Sequence, residues 1–168
     1  ALIKNHSLAS EIIDAVRRGT KLPISVKTRI GFSKPETEEW IGFLLSQKLD
    51  ALTVHGRTVK EMSSVPAHWD EIRKAVEIRD QRLVETVIIG NGDVKNIQEA
   101  GRRAQETGVD GVMIGRGVFE NPACFSAKGQ VLSAKQKIDL LKRHLELWQE
   151  TWGDKKNFSV LKKYFKIY

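Results

Sequence analysis

Four short apolar runs, each ending in glycine or charge and each separated from the next by a stretch of helical periodicity, set the strongest limit on the fold of this chain. They are PISVKTRIG (residues 23–31), DALTVHGRT (50–58), ETVIIGNGD (85–93) and DGVMIGRG (110–117). Their β-branched content and their length mark them as buried strands. The intervening stretches carry helix signals. Ser7 is placed to cap a helix running to about Arg18, with Leu8, Ile12 and Val16 on one face and Gly19 as its stop. Pro35 and Thr37 open a second helix whose Trp40, Ile41 and Leu44 share a face, and HWDEIRKAVEIRD (68–80) is a third. A fourth places Val94, Ile97, Gly101 and Ala104 at helical spacing, with Asp93 as its N-cap and Gly108 at its end.

Strands alternating with helices imply a parallel sheet in which every helix is a crossover. An open doubly wound sheet and a (β/α)8 barrel both satisfy that pattern. The strand ends favour the barrel. Lys27-Thr28-Arg29, His55-Gly56-Arg57, Asn91-Gly92-Asp93 and Gly115-Arg116 all carry polar or glycine groups, and a barrel gathers such ends on one face, whereas an open sheet concentrates its ligand groups at one switch point. A whole barrel takes eight strands and about 250 residues, so residues 1–130 are expected to be the C-terminal half of a TIM-type barrel. From Ser133 the pattern changes. Ser133 with Gln136 forms a capping box, and Ile138, Leu141, Leu145, Trp148 and Trp152 repeat at three and four residues. Phe158, Leu161 and Phe165 begin another helix after the Gly153-Asp154 break, so residues 131–168 are expected to start a small, incomplete α-helical domain.

Charge is uneven along the chain. The net charge is +7, and residues 133–168 hold nine Lys and Arg against four Asp and Glu, so this last fifth supplies +5 of it. Such an excess suits a polyanionic partner and equally suits the solvated face of a helix. No run approaches the eighteen or so apolar residues of a membrane span, and ALIKNHSLAS does not have the build of a secretion signal. The expected compartment is the cytoplasm, without membrane association. A single cysteine, Cys124, excludes an internal disulfide and a cysteine-cluster metal site, and His6, His68 and His144 match no metal-ligand spacing, so no metal is assigned.

The strand ends carry the chemistry. NGD and GRG, one strand-helix unit apart, resemble a phosphate site: glycine turns ahead of helices present backbone N–H donors to an anion, and Arg116 adds a charged fork. The loops after strands seven and eight of a barrel are the usual position for such a site. A tight turn with a helix cap is the plainer reading of the same residues. Lys27 lies opposite Val26 along its strand, where it either stabilises negative charge on a ring or substrate oxygen or is a solvated strand-end lysine. His55, one glycine away from Arg57, is either a donor to a bound ligand or a turn histidine. Cys124, in ENPACF, reads as a buried, inert cysteine rather than a nucleophile.

Taken together, ALIKN, PISVKTRIG, LTVHGRT, PAHWDEI, VIIGNGDV, DGVMIGRGVFENP, HLELWQETWG and LKKYFKIY resemble the tRNA-dihydrouridine synthase family, in the family's order and across nearly the whole chain. The resemblance implies a barrel holding FMN at its C-terminal face and a helical domain that helps to embrace tRNA. It implies Lys27 against the flavin ring and His55 near the cofactor or the uridine. Asn91, Gly92, Asp93, Gly115 and Arg116 would surround the FMN phosphate, and Arg29 and Arg57 would face the substrate pocket. The implied reaction reduces a uridine extracted from its stack to dihydrouridine, with NADPH as reductant. A cysteine supplies the proton in that family, from an asparagine-cysteine-proline motif expected upstream of Ala1, so no catalytic residue is expected in this chain. Cys124 lacks that motif. KEMSSVPAHW replaces a commoner tyrosine- and glycine-containing stretch after HGRT and bears on the choice of uridine. The chain alone is expected to be inactive, to hold FMN weakly, and to associate with itself or with an N-terminal half-barrel through open strand edges. Two other readings stand beside this one. One is a different FMN barrel of the dihydroorotate-dehydrogenase kind, and the other is a non-catalytic RNA-binding fragment using Lys155, Lys156, Lys162, Lys163 and Lys166 around Phe158, Leu161 and Phe165.

Overall fold

A computed structural model describes residues 1–126 and 131–168, which form two compact units: residues 1–94 with 99–115, and residues 95–98 with 116–168. The expected domain boundary between residues 130 and 131 borders residues outside the described ones.

The first unit begins with a 3-10 turn, Leu2–Lys4, and then alternates helix and strand: α1 (His6–Gly19), β1 (Ser25–Arg29), α2 (Thr37–Ser46), β2 (Ala51–His55), α3 (Trp69–Gln81), β3 (Val87–Asn91), α4 (Ile97–Thr107, within this unit from Glu99) and β4 (Gly111–Met113). The strands are parallel and lie in the order β1-β2-β3-β4. A sheet that adds each strand beside the last has no switch point, which separates it from the doubly wound arrangement and is consistent with part of a TIM-type barrel. Among the described residues the sheet does not close, so β1 and β4 each have one neighbour.

Alternation decides what each strand face does. Leu52, Val54 and Ile88, all 0% exposed, turn to the helices and meet Ile41, Leu44, Leu45, Ile72 and Ala75. α2 has acids Glu38 and Glu39 in its first turn, where the helix dipole favours them, and buries Trp40, Ile41, Leu44 and Leu45 at the spacing of one face. α3 does likewise with Asp70 and Glu71 in its first turn and Trp69, Ile72, Ala75 and Val76 inside. Glu71 is buried because it has partners: Thr37 Oγ1 donates to it at 2.6 Å and Lys74 Nζ at 2.7 Å.

Three local expectations are corrected. Asn5, not Ser7, caps α1, accepting from the Leu8 N–H at 3.0 Å. The face of α1 turned inward is Ala9 and Ile13, whereas Leu8, Ile12 and Val16 are exposed. Asp93 does not cap α4, which starts at Ile97; Asp93 takes φ +53, and its carboxylate reaches back to the loop after β2.

The second unit holds α5 (Gly117–Glu120), α6 (Ala134–Thr151) and α7 (Ser159–Lys162), with 3-10 turns at Gly153–Lys155 and Phe165–Ile167. Ser133 and Gln136 form the expected capping box at the start of α6. Leu141, Leu145 and Trp148 are half-buried as one face, but Ile138 and Trp152 are exposed. The helix expected from Phe158 is a single turn. Leu161 alone of its three apolar residues is buried, while Phe158 and Phe165 meet edge-on at 6.0 Å. The side chain of Lys166 lies outside the described residues. Cys124 is buried, as its setting predicts.

Candidate functional site at the strand ends

Register carries the expected residues of the first unit to one rim. Lys27 pairs with Thr53 and Ile89 lies opposite Thr53; one layer further on, Arg29 pairs with His55, His55 with Asn91 and Asn91 with Met113. Partners in a parallel ladder point the same way, so Lys27, Arg29, His55 and Asn91 stand on the sheet face opposite the helices, in two layers near the C-terminal ends of the strands.

The loop that follows β2 is built around two arginines. Arg29 Nη1 donates to the carbonyls of Thr58 at 2.6 Å and Met62 at 3.1 Å. Arg57 is buried, and each of its nitrogens has an acceptor: Nε donates to the Val65 carbonyl at 2.6 Å, Nη1 faces His55 Nε2 at 3.2 Å, and Nη2 pairs with Asp93 Oδ2. The same Asp93 oxygen accepts from the Ala67 N–H at 2.8 Å. Glu61 completes the loop, accepting from the Thr58 N–H at 2.7 Å and meeting His68 Nε2 at 2.9 Å. The Thr58 N–H, with His68 behind it, holds the Glu61 carboxyl below the usual range.

Gly92 sits where nothing larger fits. Its φ is +137, a Cβ would stand 2.5 Å from the Ala67 Cβ and 3.4 Å from His55 Cδ2, and its carbonyl accepts from Trp69 Nε1 at 3.0 Å. Asn91 is turned toward β4, its side-chain amide donating to the Met113 carbonyl at 2.9 Å. Gly115 is exposed, and a Cβ there would meet only Asn91 Nδ2, at 3.9 Å. Arg116 belongs to the second unit, where it is exposed and flanks the N-terminus of α5.

The electrostatics follow from this gathering of cations. Partial burial and the Arg29 charge lower the Lys27 ammonium from its ordinary value. His55 is lowered to about 4, chiefly by burial and then by Arg29, Lys27 and Arg57, against a smaller opposing effect of Asp93. The imidazole is therefore neutral at pH 7. Three cations against one carboxylate surround it, and that carboxylate is already paired with Arg57, so the rim is suited to an anion or to an electron-rich ring with acceptor atoms. Among the described residues, no group of three or more His, Cys, Asp or Glu is placed to hold a metal ion.

Sequence reasoning did not anticipate the supporting parts: the Val65 carbonyl, the Ala67 N–H, the Glu61 brace and Trp69 on Gly92. PAHWDEI held the only local signal, since its tryptophan opens a helix directly after a polar loop.

A parallel strand-helix sheet with a cationic, glycine-bearing rim at its C-terminal edge is the arrangement of part of a TIM-type barrel. Comparison with known proteins gives the family: the model for dihydrouridine synthase matches residues 1–168, and the chain belongs to that family. It is 40% identical over 169 residues to a probable tRNA-dihydrouridine synthase 2 of Bacillus subtilis, covering 99% of this chain and 52% of that protein. Probable tRNA-dihydrouridine synthases of Staphylococcus aureus and Staphylococcus epidermidis are each 39% identical over 99% of this chain, which covers 51% and 52% of them respectively. The chain spans about half the length of the curated relatives it matches.

Proposed function

We propose that this chain supplies the phosphate side of an FMN site, and part of the tRNA-binding surface, to a tRNA-dihydrouridine synthase that reduces uridine in tRNA with NADPH as reductant. The observation that carries the proposal is the rim itself, where Lys27, Arg29 and Arg57 converge around a neutral His55 beside the Gly92 turn. Family membership favours this reading over an FMN barrel of the dihydroorotate-dehydrogenase kind.

The residues present fit FMN in kind. A phosphate needs N–H donors, positive charge and backbone that can approach closely; Gly92 and the open space at Gly115 provide the approach. Asn91, Gly92, Asp93 and Gly115 would hold the phosphate, Asp93 through its backbone because its Oδ2 is taken by Arg57 and Ala67. FMN supplies hydride chemistry when bound. Lys27 would stabilise negative charge on the ring or the substrate oxygen, from a position where partial burial and the Arg29 charge lower its proton affinity. His55 would offer a hydrogen bond. Arg29 would face the substrate while it holds the loop after β2, and Arg57 would support that pocket from beneath. On this reading Cys124, which is buried and stands outside an asparagine-cysteine-proline motif, does not take the proton-donating role.

The second unit supports tRNA as partner. Lys156 Nζ stands 3.3 Å from the centre of the Trp152 ring and Lys163 Nζ 5.1 Å from that of Tyr164, so cations and aromatic faces occur as pairs suited to phosphates and bases. Residues 131–168 are read as the start of the helical domain and residues 1–130 as the barrel portion. The single-neighbour edges of β1 and β4 support association with a further half-barrel or with a second copy. Among the described residues no helix is long and apolar enough to cross a membrane, and a cytoplasmic location suits the proposed substrate.

The test is a cell strain in which the gene encoding this chain carries Lys27→Ala, with dihydrouridine counted in digested tRNA by mass spectrometry. Loss of the two-hydrogen mass gain at one tRNA position supports the proposal; unchanged dihydrouridine at every position, with the variant present at normal abundance, refutes it.

A further inference from the structure

The contacts of Arg57 decide which nitrogen of His55 carries a proton. An arginine has N–H donors and no acceptor, and it keeps its charge at every accessible pH. With Nη1 at 3.2 Å from His55 Nε2, that ring nitrogen must be the acceptor, and the proton must sit on Nδ1. Among the described residues Nδ1 has no hydrogen-bond partner, so its N–H is the donor the ring still offers.

We infer that Arg57, seated by Asp93, is a positioning residue that holds His55 as the neutral Nδ1–H tautomer, making this histidine a hydrogen-bond donor to an acceptor edge of the bound ligand and not a proton source. The geometry leaves Arg57 little freedom to do otherwise. Its side chain is 3% exposed, its Nε is fixed on the Val65 carbonyl, and its Nη2 is fixed on the Asp93 oxygen that also takes the Ala67 N–H. Rotating the fork away from His55 would leave buried donors unpaired, which costs more than the hydrogen bond to the ring is worth. Gly92 contributes by omission, because a side chain there would press on both Ala67 and the His55 ring. The charged groups acting on the imidazole are Arg29, Lys27 and Arg57, opposed by Asp93, and the cations together disfavour a second proton on it.

This inference rests on the strand ends being the ligand site, but the tautomer itself belongs to the chain and is measurable without flavin. The experiment is a two-bond proton–nitrogen spectrum of the full chain labelled with ¹⁵N-histidine at pH 7, with His55 assigned by its loss in His55→Gln. The expected wild-type pattern is a protonated Nδ1 and an unprotonated Nε2. A protonated Nε2, alone or with Nδ1, overturns the inference. In Arg57→Gln the amide both donates and accepts, so the expected result is a shift to a mixture of tautomers, and Arg57→Lys, which only donates, should restore the Nδ1–H form. An unchanged single tautomer in Arg57→Gln overturns the positioning role. If that variant does not fold, the wild-type pattern decides alone. Titrating FMN into the same wild-type sample, to concentrations high enough to populate a weak site, separates the two readings: a tautomer as expected with no response to FMN at the end of the titration tells against the flavin site and leaves the positioning of His55 intact.

Discussion

Arg57 and Asp93, thirty-six positions apart, form an ion pair in which the arginine side chain is 3% exposed and the aspartate 34%. The pair ties the loop after β2 to the turn after β3, and through the Ala67 N–H it also fixes the approach to α3. Its energetic weight is in the arginine. A buried guanidinium that loses its carboxylate keeps its desolvation cost without the compensating attraction.

Asp93→Ala is therefore expected to destabilise the chain by about 1–3 kcal/mol, less than for a fully buried pair because solvent reaches the aspartate. Urea denaturation followed by tryptophan fluorescence measures it, since Trp69 lies directly behind Gly92. A change below about 1 kcal/mol would mean that Val65 and His55 alone keep Arg57 in place.

Gly92→Ala should be more selective. At φ +137 a side chain costs on the order of 1–3 kcal/mol of backbone strain, and here the added Cβ also meets Ala67 at 2.5 Å. The turn is expected to shift and to take the Asn91 and Asp93 backbone with it, lowering both the denaturation midpoint and FMN affinity. Gly115→Ala, with open space around the new Cβ, is expected to leave stability within about 0.5 kcal/mol of the parent. Equal losses in the two variants would contradict the difference in their surroundings.

How far the sequence revealed this arrangement depends on how local each signal was. The four strands and their parallel pairing were legible because strand period, strand ends and intervening helices all agree, and the rim followed because every strand ended in residues too polar for a core. Arg57 and Asp93 each had a local explanation that concealed the other. An arginine after His-Gly reads as a ligand contact, and an aspartate ahead of a helical pattern reads as a cap; the ion pair that claims both is a property of the register between β2 and β3. α1 differs from its pattern for a related reason. Leu8, Ile12 and Val16 make the more apolar stripe, but the stripe that packs is Ala9 and Ile13, and periodicity gives no direction toward the sheet.

That difference on α1 gives a direct comparison. Ile13 is 6% exposed and Ile12 43%. Ile13→Ala is expected to cost about 2–3 kcal/mol through lost burial and a residual cavity. Ile12→Thr retains the β-branched shape and is expected to stay within about 0.5 kcal/mol of the parent. Thermal unfolding of the two variants checks the orientation of the helix, and the reverse ranking would place the other stripe inward.

His55 makes stability depend on pH in a defined direction. In the unfolded chain its pKa is near 6.5, and in the folded chain it is lowered to about 4. Above pH 6.5 neither state binds the proton and His55 contributes no pH dependence. As the pH falls from 6.5 to 4 the unfolded chain takes up a proton that the folded chain refuses, so stability declines across that window, and below 4 the loss is complete because both states are protonated. The half-exposed position of the ring reduces the size of the decline through solvent screening without changing its sign. Between pH 7.5 and 4 the denaturation midpoint of the parent is expected to fall further than that of His55→Gln. A direct titration of the His55 ring by NMR should give a midpoint about 4. A midpoint at or above 6.5 would mean that Lys27, Arg29 and Arg57 do not act on the ring as the geometry requires.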